Sequence, residues 1–145
     1  MKFKGFTAIE LLVVLGIIII ISLVSIPLLA NYQKTTKLRS EARVLATNLR
    51  LTQQLAITEQ TIYHLKLFPE TNIYQIINSE TSAVTKEVEL DSEITINEIT
   101  GFTDNTVQFN ATGGTLEIGN IILTNTKNAT STLEIKPSGY VEIID

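Results

Sequence analysis

The sequence predicts an α+β fold in which one long N-terminal α-helix packs on a C-terminal antiparallel β-sheet domain. Three observations lead there. Residues 6–30 are apolar and carry a single charge, Glu10. A wetter helical pattern then continues to about residue 58 with no Gly or Pro in it. Beyond Gln60, short β-branched and aromatic runs recur too closely to be joined by crossover helices, which need a dozen or more residues.

The apolar stretch holds 25 residues, among them five consecutive isoleucines at 17–21. As a helix it would reach roughly 37 Å, enough for a hydrocarbon core of about 30 Å. It is apolar on every face, which argues for a membrane anchor rather than a buried core helix. A removable signal peptide fits poorly, because its apolar core is about 7–15 residues and ends at a small-residue cleavage site. Glu10 is the anomaly. A carboxylate inside a span costs a few kcal/mol and usually has a partner and a function. Otherwise it snorkels to the headgroups from the first turn, where a helix N-terminus favours an anion.

In residues 31–58, Leu38, Ala42, Leu45, Leu49 and Ala56 fall on one side at helical spacing. Val44, Leu51 and Leu55 lie on an adjacent side, and Arg39, Arg43, Arg50, Thr47 and Gln54 on the polar one. The apolar sector is broad. It is either one wide core face or a core face beside a second contact surface. Helix over residues 6–58 would be roughly 80 Å long, too long for a small domain, so half of it should project.

Strands are expected at 62–68, 73–77, 86–90, 94–99, 106–110, 116–118, 121–124, 132–136 and 140–144. Pro69-Glu70-Thr71-Asn72, Gly113-Gly114, Gly119-Asn120 and Pro137-Ser138-Gly139 read as the turns between them.

Charge and composition exclude several function classes. The net charge of −4 divides into +5 for residues 1–57 and −9 for residues 58–145. An acidic outer domain disfavours nucleic acid, whose phosphates need clustered Lys and Arg. The chain has no Cys, so thiol chemistry is absent. His64 is the single histidine and sits mid-strand, so no His cluster can hold a metal. No Asp-rich calcium loop is present, which leaves open only a site of backbone carbonyls and distant carboxylates. Asn110-Ala111-Thr112 and Asn128-Ala129-Thr130 match the N-glycosylation pattern, as chance allows in an Asn- and Thr-rich chain. No catalytic residue, metal ligand or cofactor is expected, and the chain reads as no enzyme. Lys2 and Lys4 before the apolar run place its start in the cytoplasm, but Lys34, Lys37, Arg39 and Arg43 follow it, so charge alone leaves the orientation open.

The run Gly5-Phe6-Thr7-Ala8-Ile9-Glu10-Leu11-Leu12-Val13-Val14-Leu15, after a short basic leader, resembles the processing site and N-terminal helix of type IV pilins and pseudopilins. Further on, Val107-Gln108-Phe109-Asn110-Ala111-Thr112-Gly113-Gly114 followed by Ser138-Gly139-Tyr140-Val141-Glu142-Ile143 looks like the GspH/FimT group of minor pseudopilins. The resemblance implies that a prepilin peptidase cuts after Gly5 and that the new amine of Phe6 is N-methylated. It implies that Glu10 pairs with the N-terminal amine of a neighbouring subunit, and that Gly16 and Pro27 bound a stretch of helix able to loosen on assembly. Basic residues near the C-terminus, associated with DNA uptake in some relatives, number only Lys127 and Lys136 after Asn110, so no nucleic acid is expected.

The expected organisation is a leader at 1–5, a transmembrane half-helix at 6–30, an amphipathic half at 31–60 and a β domain at 61–145. The expected function is a structural subunit of a type IV pilus, type II secretion pseudopilus or DNA-uptake filament. Its partners would be the peptidase, other pilin-like subunits, an inner-membrane assembly platform and, before assembly, the lipid bilayer. It would sit in the cytoplasmic membrane as a single-pass protein with its C-terminal domain outside. The alternative is a membrane-anchored monomeric binding or sensing module, which needs neither a cleavable Gly5-Phe6 bond nor a carboxylate in its span.

Overall fold

The computed structural model describes Gly5 and residues 7–144, without the side chains at 24, 27, 28, 30 and 31. Among the described residues helix α1 (Ala8–Glu59) is followed by eight strands, and the chain divides into two compact units, Met1–Gln33 and Lys34–Asp145. In the first unit the helix buries almost nothing: its large apolar side chains between positions 9 and 23 are 47–71 % exposed.

The second unit holds residues 34–59 of α1 and two four-stranded antiparallel sheets. The first sheet has the order β3 (Val84–Glu89), β2 (Ile73–Asn78), β1 (Tyr63–Phe68), β5 (Thr106–Phe109). The second has the order β4 (Ile94–Thr100), β6 (Gly119–Asn125), β7 (Thr130–Ile135), β8 (Val141–Ile144). Alternation sets which face of each strand is inside. In β1, Tyr63, Leu65 and Leu67 are buried opposite Asn78, Ile76 and Tyr74 of β2, while His64 and Lys66 point the other way. One core unites these side chains with Ile121, Leu123 and Leu133 of the second sheet and with the helix.

On the helix, Leu38, Ala42, Leu45, Leu49 and Ala56 are all buried, as their spacing predicts. Val44 is 41 % exposed and Leu51 and Leu55 are half-buried, so the broad apolar sector resolves into a core face with an outward-facing margin. The helix ends on Gln60, whose φ is +54°. There the Thr61 N–H donates to the Ala56 carbonyl at 3.2 Å, the bond that closes a Schellman cap.

The antiparallel β region forms two sheets, and the chain alternates between them: β4 lies in the second sheet before β5 returns to the first. Two expectations need correction. Residues 116–118 are not a strand: Glu117 accepts hydrogen bonds from the Thr103 N–H (2.7 Å) and hydroxyl (2.6 Å), and Leu116 and Ile118 are exposed. That carboxylate braces the short 3-10 turn Thr103–Asn105, which the sequence did not announce. Gly119-Asn120 is the start of β6, not a turn. Gly119 is small because Thr100 lies against it; a Cβ there would fall 1.9 Å from the Thr100 carbonyl oxygen and 2.9 Å from the Phe102 ring. Backbone has to move to admit a methyl group. Gly119→Ala is therefore expected to cost about 3 kcal/mol, read as a lower urea midpoint; an unchanged midpoint would show that β4 and β6 separate without penalty.

Among the described residues no helix is long and apolar enough to cross a membrane. The unbroken run of described side chains in the apolar half, residues 8–23, spans only about 24 Å. The transmembrane expectation for residues 6–30 also falls on Phe6 and on side chains 24, 27, 28 and 30, which lie outside the described residues, as do leader residues 1–4.

Candidate functional site

Of the residues singled out in the sequence, Gly5 is exposed and Phe6 lies outside the described residues, so the Gly5-Phe6 bond has no described geometry. Glu10 stands at the third position of α1, and its carboxylate is engaged within its own chain. Its Oε2 accepts the Thr7 N–H at 2.9 Å and the Thr7 hydroxyl at 2.8 Å, while the Glu10 N–H donates back to the Thr7 Oγ1 at 3.3 Å. This is a capping box, in which an N-cap Thr and a Glu three residues later satisfy each other's backbone donors. The pattern Thr-x-x-Glu is present in the sequence, where Glu10 reads as a partnered membrane carboxylate or as one snorkelling from a helix N-terminus, without its bond to Thr7.

Gly16 and Pro27 both lie inside α1. Nothing stands within 4 Å of where a Cβ on Gly16 would be, so no neighbour in this chain requires glycine there. Pro27 has no N–H to give the carbonyl one turn back, at Leu23. The structure brings neither residue to Glu10; they are spaced along the helix.

In the second unit the polar residues of α1 attach the helix to the sheets. Asn48 is 3 % exposed; its Nδ2 donates to the Tyr74 Oη at 2.7 Å and its Oδ1 accepts from Lys86 Nζ at 2.8 Å. Burial pushes the Tyr74 hydroxyl pKa up to about 12, so it stays a neutral partner. Gln53 Nε2 donates to the carbonyls of Gly113 (2.7 Å) and Ser138 (3.1 Å), and Arg50 donates to the Val141 carbonyl at 3.2 Å. Asn48 and Gln53 were not singled out in the sequence, and Arg50 was placed only on the polar side of the helix. Asn48 stands out only as a polar side chain one residue from Leu49 on the core side, since its partners lie far along the chain.

Lys37 forms an ion pair with Asp91 at 2.9 Å, and Lys34 with Glu93 at 3.3 Å. The Glu93 N–H and then Lys37 hold the Asp91 carboxyl below its usual range, and Lys34 followed by Lys37 does the same for Glu93. Depressed carboxylates stabilise the fold above their unfolded-state values of about 4, and that contribution is lost as pH falls through the lower folded values. His64 sits with its Nδ1 2.8 Å from the Ser79 hydroxyl, and burial together with nearby Lys66 holds its imidazole below the ordinary range. Among the described residues no group of three or more His, Cys, Asp or Glu is arranged to hold a metal ion.

Neither a family model nor a curated protein matches the sequence. Solved structures do. The type IV minor pilin FimU of Pseudomonas aeruginosa superposes with a TM-score of 0.62 at 12 % identity, covering 79 % of this chain and 92 % of that one. The minor pseudopilin EpsH from the type 2 secretion system of Vibrio cholerae gives a TM-score of 0.61 at 9 % identity, covering 74 % and 96 %. At such identities it is the fold that is shared, and the chain has the α+β fold of minor pilins and pseudopilins, a helix packed on antiparallel sheets.

Proposed function

We propose that this chain is a structural subunit of a pilin-like filament, a minor pilin or pseudopilin of a type IV pilus, a type II secretion pseudopilus or a DNA-uptake apparatus. The observation that carries the proposal is the N-terminal half of α1, whose large apolar side chains between 9 and 23 are 47–71 % exposed on a chain with a pilin-like fold. An apolar surface of that extent is covered in a working protein. Lipid covers it before assembly and neighbouring helices cover it afterwards. In this reading the chain is anchored in the cytoplasmic membrane with its β domain outside. A prepilin peptidase cuts between Gly5 and Phe6, and the Phe6 amine is methylated. The freed subunit passes through an assembly platform into the filament, where Glu10 meets a neighbour's amine and the helix between Gly16 and Pro27 adjusts. The chain works as a building unit, without a catalytic centre or cofactor.

Mass spectrometry of the protein isolated from its host tests the processing step. A mature chain that begins at a methylated Phe6 is expected. A chain that still begins at Met1, or is cut near residue 30, overturns it.

A further inference from the structure

We propose that two loops of the β-bearing unit form an electrostatic clasp on α1, closed by Lys34 and Lys37 and opposed by Glu41, which opens as salt rises while the core stays folded. The proposal stands apart from the filament reading and holds for a single chain.

The loops are residues 91–93, between β3 and β4, and residues 126–129, between β6 and β7. They are tied to each other, because the Thr126 N–H donates to the Glu93 carbonyl at 3.2 Å. They reach α1 through polar groups. Lys37 pairs with Asp91 at 2.9 Å and with Glu93 at 3.4 Å. Lys34 pairs with Glu93 at 3.3 Å and donates to the Thr126 hydroxyl at 3.0 Å. Among the described side chains of α1, Leu38 is the first that is buried. One helical turn, residues 34–37, therefore lies against the loops before the apolar core begins. The paired side chains are 27–49 % exposed, so water and salt ions reach them.

Glu41 works against this arrangement. It stands four residues after Lys37, on the same side of the helix, and is half-buried. Burial first, and then the charge of Asp91, push its carboxyl above the usual range, with Lys37 opposing. Its other ionisable neighbour is Tyr74 of β2, which stays neutral. The second loop adds Lys127, which is exposed. The charged Glu41 thus presses Asp91 and its loop away from the helix, while Lys34 and Lys37 draw the loops in. Exposed ion pairs each contribute little, so the loss of one, or the screening of all, moves the balance. The Debye length falls from about 8 Å at physiological salt to about 3 Å at 1 M. Three ion pairs attract and one neighbour repels, so screening weakens the closed form. Leu38, Leu45 and Leu49 hold the helix in the core by apolar contact, which salt does not screen.

The natural absence of cysteine allows a pair of spin labels to be placed at will. The full-length chain in detergent carries them at Gln54→Cys on α1 and Ser92→Cys in the first loop, both exposed positions. Pulsed electron paramagnetic resonance reads the distances between them at low salt and at about 1 M salt, with circular dichroism on the same samples. The expected result is one distance at low salt and a second, separate population at high salt. Glu93→Gln, which removes the shared anion, should raise that population about threefold, and Glu41→Gln, which removes the repulsion, should lower it about threefold. The circular dichroism should be unchanged throughout. Distances that are the same at both salt levels and in both variants overturn the clasp. So does a Glu41→Gln chain that opens as readily as Glu93→Gln, because Glu41 then does not oppose closure. A loss of circular dichroism together with the distance change overturns it too, since the opening is then global unfolding.

Discussion

Replacing Leu45 by Asp is expected to unfold the β-bearing unit under conditions where the natural chain is intact. Leu45 is fully buried in the middle of the helical core face, between Leu38 and Leu49. Removing its side chain forfeits about 2–5 kcal/mol. The carboxylate that replaces it finds no buried cation, because Lys37, Arg39, Arg43 and Arg50 of α1 are all exposed. An unpaired buried charge adds several kcal/mol or forces protonation. The sum approaches the whole stability of a small domain, about 5–15 kcal/mol. Leu45→Met keeps the volume and should cost less than about 1.5 kcal/mol. Circular dichroism against temperature reads both, and an unshifted melt for Leu45→Asp would place Leu45 outside the core.

If the chain is the filament subunit proposed above, Glu10→Leu is expected to leave membrane insertion and cleavage at Gly5 intact but to lower its recovery in filaments by tenfold or more. A unit charge pair at about 4 Å is worth roughly 4 kcal/mol at an effective dielectric of 20, offset by desolvation of both groups. A residue of about 1.4 kcal/mol already gives the tenfold effect. The capping box complicates the test, because Glu10 also secures the start of its own helix through Thr7. Losing a cap costs about 0.5–2 kcal/mol by itself. Thr7→Ala separates the two roles, since it opens the box and leaves the carboxylate. Co-purification with the host's other pilin-like subunits should be near normal for Thr7→Ala and poor for both Glu10→Leu and Glu10→Ala. Equal losses for Thr7→Ala and Glu10→Leu would assign Glu10 to its own helix end, and normal recovery of all three would remove it from assembly.

The helix was legible because its core positions repeat every three or four residues for several turns, and Leu38, Ala42, Leu45 and Leu49 are where that rhythm put them. The hairpin of β1 and β2 was legible from Pro69 to Asn72, where Asn72 takes a φ of +53° as a turn residue. The division into two sheets was not, because strand partners such as Tyr63 and Phe109 lie far apart in sequence and nothing local marks them. Residues 116–118 misled for a local reason, since apolar–charged–apolar is also the pattern of a loop whose charge bonds to a neighbouring turn, as Glu117 does to Thr103. Gly119 misled because close backbone approach and turn formation call for the same residue. At the candidate site, the capping box was written in four residues and hidden by the stronger signal of the apolar span.

The way α1 is fastened bears on how the domain responds to force. Its 34–59 segment is gripped at both ends: Asn125 Nδ2 donates to the Lys34 carbonyl at 3.3 Å and Lys34 Nζ to the Thr126 hydroxyl at 3.0 Å, while Arg50 holds the carbonyl that begins β8 and Gln53 a carbonyl of the loop at Gly113. These points are roughly 25 Å apart along the helix. A pull directed along that axis loads them together, in shear, with the buried leucines between them, so the helix cannot be peeled away one contact at a time. With no disulfide to share the tension, the yield point is set by how slowly this whole interface slips, a rate property rather than an equilibrium one.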